Sequence, residues 1–183
     1  MGAVHSAKVM GLFLDRIRGE LAANNTLRGP WVEEMVAAFI GITDFPGAWS
    51  YFDLRDHDGR SISIKQSVGS KAKFDVSGRR NAWDNELAVR QRLTNPKAEG
   101  WLENPTGEAR RWCDLFIFGF LPGDLTSERV TDVDEWRFAV RTRAELDALP
   151  IGTKSMTVRR LEAIGATFKP GIELRAMVDA SGS

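Results

Sequence analysis

Asp53 and Lys65 stand on either side of a tight turn, a spacing that can bring a carboxylate and an ammonium group to one phosphate. The run from Trp49 to Lys65 reads as a strand ending near an acid, a turn at Asp58 and Gly59, and a returning strand that carries a lysine. In the returning strand Ile62 and Ile64 point one way, while Ser61, Ser63 and Lys65 point the other. A lysine aligned with two small polar residues suits a bound anion, with a divalent cation held by the acid. The plainer alternative is a solvated hairpin face with an ordinary lysine.

Positioning such a pair needs a scaffold, and the chain is long enough to supply one. At 183 residues and 43% hydrophobic, with six tryptophans and ten phenylalanines, it can bury one substantial core as a single domain. Residues 1–178 are read as that domain and 179–183 as a frayed tail. Helices are expected from about Ser6 to Ala23, with Val9, Met10, Phe13, Leu14, Ile17 and Leu21 as the apolar stripe, and from about Gly29, with Pro30 in the first turn and Gly41 as the stop. Val68 to Arg80 reads as a loop or irregular strand, and a helix is expected from Asn81 to Leu93. Asp114 to Leu121 reads as a buried central strand, and Glu135 to Arg141 as a half-buried one. Short helices are expected at Arg143 to Ala148 and at Ser155 to Ile164, the latter capped by Ser155 and ended by Gly165.

Composition narrows the classes. The single cysteine, Cys113, lies in an apolar run and reads as a buried inert thiol; a disulfide framework and a cysteine-rich zinc site are excluded. This usage fits the reducing cytoplasm. No apolar run reaches membrane-spanning length, and no signal peptide is expected. Net charge is zero, which argues against binding nucleic acid through bulk basicity. The charge is uneven, however: from Lys65 to Lys97 eight basic residues face three acids, and from Asp124 to Asp147 seven acids face four arginines. A basic half beside the hairpin suits contact with DNA on one side.

The order of a helix with glutamate, a hairpin with Asp and x-x-Lys, a helix and a further strand resembles the restriction-endonuclease-like nucleases, the PD-(D/E)xK superfamily. Ten residues lead from Asp53 to position 63 and two more to Lys65. The run Arg28-Gly29 to Glu33, then Trp49 and Phe52-Asp53-Leu54, then Ser63-Ile64-Lys65-Gln66-Ser67, is similar to a bacterial group of such nucleases. That group shows an Arg-Gly-x-x-x-Glu helix and a Glu-Val-Lys-Ser-like strand. Arg111-Trp112-Cys113-Asp114, Trp136-x-Phe138 and Lys154-Ser155 extend the resemblance over roughly residues 26 to 165.

The resemblance implies an α/β fold, a three-layer restriction-endonuclease-like core with a mixed β-sheet flanked by helices. It also implies a magnesium-dependent endonuclease acting on double-stranded DNA in a restriction or defence setting, with Mn²⁺ as a substitute for Mg²⁺ and a homodimer where both strands are cut. Asp53, the Ile64 carbonyl and Glu33 would hold the cation, and Lys65 would orient the attacking water. Glu34 lies about 100° further round the helix, so only one of the two glutamates faces the site. The departure is Ser63, where the family usually has the second acid. Either Glu86, with Asp84 second, supplies that carboxylate from the following helix, as in some restriction enzymes with serine there, or catalysis is lost while DNA binding survives.

Among other residues, Lys71, Lys73, Arg79 and Arg80 are the candidate phosphate contacts. Asp56, His57 and Asp58 read as turn residues. Gln66 faces away from Lys65, in a packing or supporting role, and Arg111 and Asp114 read as pairing or capping groups.

Overall fold

The structure is a computed structural model and describes residues 2–43, 52–76, 113–149, 153 and 155–182. Two nearly continuous helices open it, α1 (Gly2–Ala23) and α2 (Asn25–Ile40). Asn24 breaks them apart and starts the second at once: its side-chain oxygen accepts the Thr26 and Leu27 backbone N–H groups. Such a cap is worth about 1 kcal/mol. The helix therefore begins four residues before the expected Gly29, and Pro30 lies inside it. Gly41 ends α2 in the left-handed region at φ 77°, where a side chain would be strained.

The strands follow in the order β1 (Leu54–Arg55), β2 (Ser61–Val68), β3 (Lys73–Asp75) and β4 (Leu115–Leu121). After the short helix α3 (Ser127–Thr131) come β5 (Arg137–Thr142), α4 (Arg143–Asp147), β6 (Ser155–Thr157), α5 (Val158–Ala163), β7 (Lys169–Pro170) and α6 (Leu174–Ala180). The main sheet is mixed, in the order β1-β2-β4-β5-β7. β2 runs parallel to β4 and antiparallel to β1, and the β4–β5 and β5–β7 pairs are antiparallel. β3 and β6 form a separate antiparallel pair. The continuous apolar run of β4 places it centrally, buried on both faces.

Each face of the sheet carries its own core. Ile62, Ile64, Leu115, Ile117, Phe138 and Val140 pack with Val32, Val36 and Ile40 of α2 and Leu174 and Val178 of α6. On the other face Phe116, Phe118 and Ala139 pack with Phe74, Met156, Leu146 and Leu161 from β3, β6, α4 and α5. Gly119 sets how closely α2 approaches, because a Cβ there would lie 3.1 Å from Val32 Cγ1 and 3.2 Å from Phe138 Cε1. The Val130 carbonyl accepts both the Trp31 and Trp136 indole N–H groups at 3.0 Å, tying α2 to α3 and the start of β5.

Several sequence expectations are corrected. The α1 stripe is not buried throughout: Phe13 and Leu14 are 55% and 57% exposed, whereas Ile17 and Leu21 pack on the core. Ser155 does not cap a helix; it pairs with Asp75 in β6, and Thr157 caps α5. α6 was not anticipated, and it carries Asp179 and Ala180 as regular helix. Within the segment read as a loop or irregular strand, Lys73 to Asp75 form β3, while residues 77–80 and the helix expected at Asn81 to Leu93 lie outside the described residues.

Candidate active site

β1 is only two residues long, and that brevity makes the site. Asp53 lies one position before it, its N–H donating at 2.8 Å to the carbonyl of Ile62, the residue that Leu54 already pairs with. Ser63, whose hydroxyl lies near the Asp53 carboxylate, turns its side chain to the face opposite Ile62 and Ile64. Lys65 lies two residues further along β2 and shares that face by strand alternation. Asp53 Oδ2 accepts the Ile64 backbone N–H at 2.5 Å and the Ser63 hydroxyl at 3.4 Å. Within a strand, N–H and C=O of one residue point to the same edge, so the Ile64 carbonyl is also directed towards Asp53.

Glu33 reaches this corner from α2. Burial raises its carboxyl above the ordinary value; Asp53 adds to the rise, Lys65 partly offsets it, and neighbouring Glu34 adds a little. Glu33 thus feels both hairpin charges, whereas Glu34 is exposed, so one glutamate of the two faces inward. Lys65 makes no ion pair within 4 Å among the described residues. The Asp53 and Glu33 carboxylates beside a backbone carbonyl form a hard-oxygen corner suited to a divalent cation. Among the described residues no group of three or more His, Cys, Asp or Glu side chains is assembled.

Two features were not read from sequence. The Cys113 thiol lies beside the site, hydrogen-bonded with Ser63, and is pushed up to about 12, chiefly by burial and then by Asp53, so it stays neutral. Behind the sheet, Arg28 is 6% exposed and its guanidinium is fully engaged. It donates to the Leu21 and Ala22 carbonyls at the end of α1, to Gln66 Oε1 at 3.0 Å and to Asn25 Oδ1 at 3.1 Å. Gln66 Nε2 donates to the same Asn25 oxygen. This network joins α1, α2 and β2 one residue beyond Lys65, giving Gln66 the supporting role its orientation implied.

The remaining candidates separate cleanly. Asp56 Oδ1 accepts the Asp58 and Arg60 N–H groups and Oδ2 the Arg60 side chain at 2.7 Å, so this acid builds the turn. Asp114 Oδ2 accepts the Ser61 N–H and hydroxyl, and its Oδ1 lies 3.3 Å from Arg143, fastening the starts of β2 and β4. Lys71 and Lys73 are exposed beyond the end of β2, away from the Asp53 corner. Arg79, Arg80, Asp84, Glu86 and Arg111 lie outside the described residues. Comparison with protein-family models, curated proteins and solved structures found no match to this chain.

Proposed function

We propose that this chain is a magnesium-dependent endonuclease that hydrolyses phosphodiester bonds in double-stranded DNA, on a restriction-endonuclease-like core. The supporting observation is that the Asp53 carboxylate is bonded to Ser63 and Ile64, immediately beside Lys65, with Glu33 close enough to feel both charges. Asp53, the Ile64 carbonyl and Glu33 would hold the cation. When bound, Mg²⁺ or Mn²⁺ supplies charge neutralisation at the phosphoryl oxygens and lowers the pKa of a coordinated water. The Ile64 N–H engages Oδ2 of Asp53, so Oδ1 is the oxygen that would be offered to a cation. Lys65 holds its ammonium over the same face, where it stabilises negative charge on the phosphate and orients the nucleophile. Ser63 contributes a hydroxyl and no charge, so a further acid completes the set, and Glu86 is the residue assigned to it. Cleaving both strands takes two such corners, which a homodimer provides. The restriction or defence role, in the cytoplasm, rests on the resemblance. No helix among the described residues is long and apolar enough to cross a membrane.

Ser63 itself favours a second reading, a catalytically inactive relative that binds DNA or a partner protein through the same fold. Plasmid DNA incubated with Mg²⁺ or Mn²⁺ separates the two. The nuclease reading requires nicking or linearisation by the wild type that Asp53→Ala and Lys65→Ala abolish. Binding without cleavage under either metal supports the inactive relative.

A further inference from the structure

Beyond the end of β2 the chain leaves an open groove of about 600 Å³ between the turn at Gly69–Lys73 and the start of α5. Its lining includes Lys71, Lys73 and Arg159 against a single carboxylate, Glu162, with Phe120 at the base. None of the three cations makes an ion pair among the described residues. The turn is fixed: Gly69, at φ 81°, donates to the Leu121 carbonyl at 2.9 Å, and the Lys73 N–H donates to Ser67 Oγ at 2.9 Å. Three unpaired cations on a preformed wall are a site for repeated negative charge rather than for one buried anion.

The sheet register relates this groove to the Asp53 corner. Phe120 lies beside Ser67 as Phe118 lies beside Lys65, and all four side chains occupy one face. The groove therefore begins about one side-chain repeat, roughly 7 Å, beyond Lys65 along β2.

We infer that Lys71, Lys73 and Arg159 bind the phosphate backbone of DNA where it runs on past the Lys65 corner, a placement that rests on the nuclease reading. Arg159 lies nearly a hundred residues from the hairpin in sequence and joins the two lysines only because β3 pairs with β6. These contacts carry charge and no base readout, so they strengthen binding to any sequence alike.

The test uses the full chain and a fluorescent DNA duplex, with calcium in place of magnesium, read by anisotropy across a salt series. Replacing Lys71, Lys73 and Arg159 together by Gln should weaken binding at least ~10-fold at moderate salt and lower the salt slope by about one per residue. Glu162→Gln should tighten binding, a gain that misfolding cannot mimic. Unchanged affinity and slope in the triple variant overturns the groove while leaving the nuclease reading standing, provided the plasmid is still cut. Absence of duplex binding by the wild type overturns both. Inorganic phosphate competing as effectively as the duplex, per mole, would show a free-anion site and overturn the backbone assignment.

Discussion

The Asp53 carboxylate accepts the backbone N–H of Ile64, so the acid is tied to the Ser63–Ile64 peptide, one residue before Lys65. The bond replaces a rung that β1 is too short to provide, and it couples the two hairpin strands through a functional side chain. Asp53→Asn can still accept that N–H but removes the charge. Its thermal unfolding temperature should stay within about 3 °C of the wild type, a shift below 1 kcal/mol, while cleavage falls on the order of 100-fold or more. Asp53→Ala should lose both stability and cleavage, as scanning calorimetry and plasmid nicking would show.

Glu33 gives a pH signature. Its proton affinity is raised in the folded state by burial and then by Asp53, so the protonated form favours folding. That contribution is complete below the ordinary glutamate value of about 4.3 and fades as the pH climbs through the raised one. In the absence of divalent cations, Glu33→Gln should therefore be more stable than the wild type at neutral pH, with the gap closing in acid. Urea denaturation at a series of pH values checks the sign. Added Mg²⁺ should narrow the gap by stabilising the wild type more than the variant.

Arg28 should matter to both stability and activity. Replacing it with Met leaves the Leu21 and Ala22 carbonyls and the Gln66–Asn25 pair short of a donor, at about 2 kcal/mol in urea denaturation. A double-mutant cycle with Gln66→Ala should return a coupling of about 1 kcal/mol. Additive losses would show that the two side chains act separately.

Gly119→Ala probes the seat of α2. The added methyl meets Val32 and Phe138 and should destabilise the protein by roughly 1–3 kcal/mol. Because Glu33 follows Val32 on the same helix, cleavage by the folded protein should fall as well. Specific activity per folded molecule is the measurement, with folding followed by near-ultraviolet circular dichroism.

Much of this arrangement was legible in the chain because local chemistry and tertiary need agreed. The apolar run of β4, the alternation of Ile62 and Ile64 with Ser61, Ser63 and Lys65, and the positive-φ glycines at positions 41 and 59 all read directly. Errors arose where one residue type serves two purposes. Asn24 reads as a breaker but is also a strong cap, so the start of α2 was placed too late. Ser155 reads as a cap, yet pairing with Asp75 claimed its backbone. α6 was missed because its burial depends on α2 and the sheet more than on its own periodicity. The Arg28–Gln66 pair spans 38 residues, and neither side chain carries a local signal for the other.

Ser63 leaves a specific expectation for Glu86. Glu86→Ala should reduce cleavage by about 10- to 100-fold, in the range of lost metal-site support, and weaken the dependence of activity on Mg²⁺ concentration. Cleavage at wild-type rates by that variant would remove Glu86 from the site. Ser63→Ala should have a smaller effect than either Asp53→Asn or Glu86→Ala, since its hydroxyl lies a long 3.4 Å from Asp53.

The most direct measurement is the anomalous map of a crystal soaked in Mn²⁺. The expected result is one peak about 2.1 Å from Asp53 Oδ1 and from the Ile64 carbonyl, with the Lys65 ammonium on the same side of the sheet. Manganese bound elsewhere, or Lys65 directed to the face opposite Asp53, would contradict the account.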